Sequence, residues 1–260
     1  MAAEYLESAL LRAAGFRHAF FTRNGGVSSG PYTSLNFSVS VGDAPDLVAE
    51  NFALAGQALG VRGDDIGVLS QVHGSVVHTV TAEDAARGSL WPRLAQHEGD
   101  AVASRVPGIA CAVRTADCVP ILVGDRRSGA ALAIHAGWRG VVRGVIEASL
   151  EHLRSLLGGQ VELVAAIGPH IGPLAFETGE DVALELEASS TARGVVDRSR
   201  GKPRVALGPI VAAKLEAAGI QRTQIEAVTG CTATQPDQFF SYRRDGKESG
   251  RLLSAIVPRA

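Results

Sequence analysis

An α/β fold is the expectation for this chain, and three features of the sequence carry it. From Ile66 onward, apolar runs without strict alternation recur between short polar or glycine breaks, the texture of strands buried on both faces. Stretches of helical periodicity alternate with these runs through the second half, which points to mixed or parallel sheet covered by helices. At 260 residues, 46% apolar and 20% charged, the chain is long enough to bury most of the apolar surface its unfolded form exposes. No composition break or internal repeat divides it, so residues 1–260 are expected to form a single domain.

The elements follow in order. Ala19 to Thr22 reads as a short strand, and RNGGVSSGPYTSLN after it, dense in Gly, Ser, Asn and Pro, as a long loop. Asp46 is placed to N-cap a helix whose apolar positions Val48, Phe52, Leu54, Ala55 and Leu59 largely keep helical spacing up to Gly60. IGVLSQVHGSVVHTV reads as two β-branched segments around His73-Gly74, and DAVAS, IACAVRT, VPILVGD and GAALAIHA as strands. Trp138 to Leu157 has helical periodicity and stops at a Gly-Gly pair. VELVAAIGPHIG is a buried strand ending in a Gly/Pro turn. GEDVALELEA and LGPIVAAKLEAAG read as helices, and QIEAVTG as a strand.

Several function classes are disfavoured by composition. A net charge of −2 gives no broad basic field for a nucleic-acid backbone. Three cysteines do not make a secreted disulfide framework and suit a reducing compartment. MAAEYLESALLRAAGF carries two glutamates and no uninterrupted apolar stretch, unlike a signal peptide, and no apolar run reaches membrane-span length. A cytoplasmic location without membrane contact is expected. Neither a P-loop nor a helix-opening G-x-G-x-x-G is present.

Three reactive side chains stand at expected strand ends, where open α/β sheets present functional groups. His73 follows VLSQV, Cys118 directly precedes VPILV, and His135 ends ALAI before AGWRG opens a helix. Two imidazoles and a thiolate form a borderline-soft donor set for zinc or copper, and three protein ligands leave a fourth position open, as in catalytic zinc sites. Their spacing is long, so only the fold can unite them; free Cys and partly buried His are also common in cores. Asp117 sits between apolar segments, where it either caps a turn or supports a metal-bound imidazole or an arginine, Arg114 being the local partner. Arg23, Arg139, Arg243 and Arg244 recur at loop positions and together could cradle an anion, although each alone reads as a solvated charge. Among the remaining histidines, His18, His78, His97 and His152 read as structural or solvent-facing. His170, in IGPHIG, is the rival ligand. Cys111 reads as a buried hydrophobe and Cys231 as a pocket-lining residue without a visible partner.

FFTRNGGVSSGPYTSLNFS, QVHG, DAVAS…PGIACAVRTADCVPIL, AIHAGWRG, IGPHIG and CT…FFSYRRD…GR occur in this order, from about Phe20 to Arg251. The combination resembles the YfiH/YlmD family, also called the DUF152, polyphenol oxidase (laccase-domain) or purine nucleoside phosphorylase family. TADC with HAGWRG is its specific part. The resemblance implies a layered α-β-β-α domain with mixed sheets and one zinc per chain held by His73, Cys118 and His135. It further implies phosphorolysis of adenosine, inosine and S-methyl-5'-thioadenosine, and deamination of adenosine, with nucleoside and phosphate as the small-molecule partners. Arg23 or the Arg243/Arg244 pair would clamp the anion, and Asp117 or Arg139 would support the centre. His170 stands at the variable position of the IGPxIG turn, and Tyr242 where relatives often carry histidine. The family's laccase label meets a limit. A mononuclear plus a trinuclear copper centre requires more histidines than the seven present, and the one methionine is Met1; a single copper is the alternative ion. A metal-free cysteine hydrolase, with His135 deprotonating Cys118 for attack on an amide, is the alternative from another class, and the resemblance links it to cell-wall precursors. A non-catalytic binding module is the third.

Overall fold

Residues 2–260 are described by a computed structural model in which two mixed sheets stack face to face between helices. The strands are β1 (Tyr5–Leu6), β2 (His18–Phe21), β3 (Ile66–Gly67), β4 (Val77–Val80), β5 (Ala101–Ser104), β6 (Ala110–Thr115) and β7 (Val119–Asp125). They continue with β8 (Ala131–Ala136), β9 (Leu163–Ile167), β10 (Val196–Asp197), β11 (Arg204–Val205), β12 (Ile225–Ala227) and β13 (Leu252–Ile256). The helices are α1 (Ala9–Ala13), α2 (Pro45–Leu59), α3 (Ala82–Ala86), α4 (Leu90–Leu94), α5 (Trp138–Val142), α6 (Val145–Leu157), α7 (Glu180–Ala188), α8 (Leu207–Ala217) and α9 (Tyr242–Asp245). One sheet runs β1-β2-β13-β6-β3 and the other β12-β9-β7-β8-β5-β4, while β10 and β11 form a separate ribbon.

The unalternating apolar runs have a direct structural cause. On β6, Ala110 and Ala112 face outward and pack under Phe52, Ala55 and Leu59 of α2, while Cys111 and Val113 face inward. The inward set meets Leu122 of β7, Ala131 and Ala133 of β8, and Val164 of β9, which closes the layer between the sheets. The other face of the second sheet, with Ile121, Ile134 and Ile167, is covered by Val141, Ile146, Leu150, Leu153, Ile210 and Leu215 from the helices. Both faces of each central strand are therefore dry, and neither tolerates a polar alternate. The expected α-β-β-α layering with mixed sheets is the architecture found.

Local expectations change in three places. Asp46 does not cap α2: Ala44 is the N-cap and Pro45 opens the helix, so Asp46 lies in the first turn, where its charge favours the positive end of the helix dipole. The helix expected over Trp138 to Leu157 is broken at Gly144 (φ 80°), a backbone conformation that glycine adopts without steric cost, giving α5 and α6. The segment around His73 is mostly irregular. Only Ile66–Gly67 and Val77–Val80 pair as strands, and His73 itself has φ 59° in the loop between them.

Candidate metal centre

The β7–β8 hairpin sets two of the three donors by register. Val119 pairs with Ala136 and Pro120 with His135, which places Cys118, one residue before β7, across from Gly137. His73 comes from the loop between β3 and β4 and is held by a carboxylate that the sequence reading did not single out. Asp100, fully buried just before β5, accepts the His73 amide at 3.0 Å on Oδ1 and the Gly74 amide at 2.7 Å on Oδ2. The same Oδ1 accepts Nδ1–H of His135 at 2.8 Å, while the His135 amide donates to the Asp100 carbonyl at 2.8 Å. One carboxylate thus fixes the position of one ligand and the ring orientation of another.

His73, Cys118 and His135 present ligand atoms that all lie within 4.8 Å of one another, and they form the metal-competent group among the described residues. Cys118 Sγ lies 3.7 Å from His73 Nε2. A tetrahedral zinc with ordinary Zn–S and Zn–N bonds separates such a pair by about 3.6 Å, so Cys118 and His73 are already spaced for the ion, and the third donor lies within 4.8 Å of both. Gly137 makes room for the cluster: a Cβ there would lie 2.5 Å from His73 Cδ2 and 3.0 Å from Cys118 Sγ.

Electrostatics point the same way. Burial works to raise the Cys118 thiol, but the charge and hydrogen bonding of His135 and His73 outweigh it and hold the thiol well below its usual range. His135 shifts upward: burial opposes its charge, and the Cys118 thiolate and Asp100 carboxylate overcome that cost. Asp100 is held below the ordinary carboxylate range, since bonds from His135, Gly74 and His73 outweigh its burial. Without a metal, these directions favour a thiolate beside an imidazolium, backed by a carboxylate.

The donors open onto a cavity of about 580 Å³, on whose wall Arg114, Arg139, Arg243, Arg251 and Tyr242 also stand.

The family described as multi-copper polyphenol oxidoreductase laccase matches residues 17–259. The chain belongs to this family. A purine nucleoside phosphorylase of Deinococcus radiodurans is 39% identical to it, over 96% of this chain and 93% of that protein. The purine nucleoside phosphorylase YfiH of Escherichia coli is 37% identical, over 90% of each. The crystal structure of YlmD from Geobacillus stearothermophilus superposes with a TM-score of 0.88 at 27% identity, covering 99% of this chain and all of that one. The chain is an enzyme of the YfiH type.

Within this family member, some of the arginines and acids fall otherwise than the sequence implies. Asp117 contacts neither imidazole and does not pair with the Arg114 guanidinium. With φ 93°, it turns its carboxylate to the Thr232 hydroxyl and the Arg243 backbone amide, each at 2.6 Å. Supporting an imidazole is the work of Asp100. Arg23 does not line the cavity: its guanidinium donates to the Thr33 and Pro236 carbonyls at 2.8 and 3.0 Å and lies over the Phe240 ring. Arg244 is likewise turned away, bonded to the Thr232, Ala233 and Phe239 carbonyls and paired with Asp245. Arg139 and Arg243 do reach the wall, the first over the Trp138 ring and the second bonded to the Ala175 and Glu177 carbonyls. His170 stays outside, with Nδ1 on the Gly168 carbonyl. The sequence carried only a faint signal for Asp100, a carboxylate abutting the apolar run AVAS with Glu98 two residues before it.

Proposed function

We propose that the chain is a zinc-dependent purine nucleoside phosphorylase acting on adenosine, inosine and S-methyl-5'-thioadenosine, with adenosine deaminase activity, at the cavity beside His73, Cys118 and His135. The observation that carries the reading is the three-donor group opening onto a cavity of about 580 Å³ lined by arginines. That volume lies within the range of small-molecule sites and accommodates a nucleoside beside a phosphate. Relatives of 34–39% identity, named purine nucleoside phosphorylases, support it.

His73, Cys118 and His135 would hold the ion. When bound, zinc lowers the pKa of water and stabilises charge on a departing purine, chemistry that serves both deamination and phosphorolysis. Asp100 keeps the proton of His135 on Nδ1, so that Nε2 remains a donor to the ion. Arg139 and Arg243 line the cavity, where they would orient anionic groups, and Asp117 holds the Arg243 backbone in place. The same reading makes the enzyme cytoplasmic and residues 1–260 one domain, with nucleoside and phosphate as its ligands. No helix among the described residues is long and apolar enough to cross a membrane.

A second reading rests on a specific feature. Cys118, His135 and Asp100 stand in the order nucleophile, base and orienting carboxylate, and the thiol is already depressed. This is the arrangement of a cysteine hydrolase that needs no metal. One experiment separates the two. Chelator-stripped and zinc-reconstituted protein are incubated with nucleosides, with and without phosphate, and with amide substrates, following free base, inosine and released amino acid; a copper-reconstituted sample is assayed on phenols. Phosphate-dependent base release that returns with zinc at about one ion per chain is expected, as is its loss together with metal content in Cys118→Ser. Amino-acid release by the stripped protein would establish the hydrolase, and phenol oxidation confined to the copper sample the oxidase.

A further inference from the structure

Arg114 and Arg251 both stand on the cavity wall, and their situation is physically costly. They stand at the ends of neighbouring strands: the β13–β6 register pairs Leu253 with Arg114 and Leu252 with Thr115, which puts Arg251 beside the same sheet edge. Both guanidinium groups line the main cavity and both are only partly exposed. Neither takes part in an ion pair among the described residues. Burial lowers each below the usual arginine range, and the charge of Arg251 lowers Arg114 further. Two like charges, partly desolvated and without an ion-paired carboxylate, are stabilised when an anion joins them.

Their anchoring leaves donors free. Arg114 is fixed by Nη2 on the Leu69 carbonyl at 2.9 Å and Nη1 on the Phe37 carbonyl at 3.4 Å. Arg251 is fixed by Nη1 on the Ser249 and Gly250 carbonyls at 2.6 and 3.0 Å. Nε of both, and Nη2 of Arg251, find no acceptor among the described residues. Ser38 and Ser40, whose hydroxyls lie 2.9 Å apart, line the same cavity. A side chamber of about 330 Å³ shares Ser40, Ser70 and Arg114 with it, so Arg114 stands where the two spaces join. Arg114 and Arg251 line the same cavity as His73, Cys118 and His135, so an anion held by the pair would share that cavity with the three donors.

We propose that Arg114 and Arg251, with the Ser38 and Ser40 hydroxyls, form the site of a tetrahedral oxyanion: inorganic phosphate or the phosphate group of a monoester. Guanidinium groups match such an oxyanion with paired, charge-assisted hydrogen bonds, and the bound anion neutralises the repulsion between them. The identity of the anion as the phosphate co-substrate rests on the phosphorolysis reading; the existence of the site does not.

The test is calorimetric titration of the metal-loaded full chain with inorganic phosphate, adenosine 5'-monophosphate and adenosine. Arg251→Gln is expected to weaken phosphate binding at least tenfold while adenosine binding changes less than threefold. Arg251→Lys, which keeps the charge but loses the fork, should fall between, and Arg23→Gln, whose side chain lies outside the cavity, should bind phosphate like the parent. Thermal melting of each variant separates lost binding from lost folding. A loss confined to the monophosphate, with phosphate unaffected, assigns the site to a phosphate ester and still supports it. Parent-like affinity for both anions in Arg251→Gln overturns it, as does a parent that binds neither. Because binding is read without turnover, a parent that binds phosphate through this pair yet releases no base refutes phosphorolysis and leaves the anion site standing.

Discussion

Replacing Asp100 with asparagine keeps the side chain's shape but removes the charge that faces His135 and accepts the His73 and Gly74 amides. Losing a partner behind a metal-bound imidazole typically weakens metal affinity by about 10–100-fold. Competition with a chromophoric chelator should show a loss of that size in Asp100→Asn, and parent-like affinity would remove Asp100 from the centre. The metal-free protein supplies an independent sign. Asp100 helps hold His135 above its usual range, and the resulting imidazolium holds the Cys118 thiol down. With the carboxylate gone, the thiol rises toward its ordinary value, so alkylation of Cys118 near neutral pH should slow in Asp100→Asn. The three donors were legible in the sequence because reactive side chains beside apolar runs are conspicuous, although His73 proves to lie in a loop rather than at a strand end. Asp100 was harder to see because two of its bonds go to backbone amides 26 and 27 residues away, which no local pattern encodes. Arg23 misled for a related reason: an arginine that ties two loops together by their carbonyls has the same sequence context as one facing a ligand.

At the scale of elements, the centre is built by a hairpin and secured by a loop. VPILVGD and GAALAIHA were legible as two dry strands joined by a short polar break, but it is the fold that pairs them as a hairpin and brings Cys118 and His135 together. The C-terminal tether was not implicit. LLSAI is an apolar run like the others, yet only the fold reveals that it becomes β13, inserted between β2 and β6. Asp117 joins the two regions by taking the Thr232 hydroxyl and the Arg243 amide. Asp117→Ala leaves both donors without their acceptor and puts alanine at φ 93°, a conformation it adopts poorly. A stability loss of about 1–3 kcal/mol in urea is expected, with faster proteolysis around residues 231–245. Asp117→Asn keeps an acceptor and tolerates the backbone better, so its loss should be smaller. Equal losses in the two variants would show that the carboxylate's hydrogen bonds do not secure this segment.

For the whole molecule, the question is whether the two halves of the α-β-β-α stack behave as one unit. The interior between the sheets draws Phe20, Cys111, Val113 and Ile256 from one and Leu122, Ala133, Val164 and Ala166 from the other, so neither sheet has a complete core alone. Glu226, after the first residue of β12, reinforces the join at the N-terminal side by accepting the Ser8 hydroxyl at 2.6 Å and the Leu10 amide at 2.8 Å. Shared burial of this kind predicts one cooperative transition, as expected for a single domain. The two tryptophans report from opposite outer layers: Trp91 stacks on Phe52 of α2 with ring centroids 4.4 Å apart, and Trp138 opens α5 against the other core. Trp138→Phe leaves the first as sole reporter and Trp91→Phe the second. In each variant, the fluorescence transition in urea should coincide with that variant's own far-ultraviolet circular dichroism. Fluorescence and dichroism midpoints that separate, with one layer's tryptophan melting ahead of the bulk secondary structure, would divide the chain into two units.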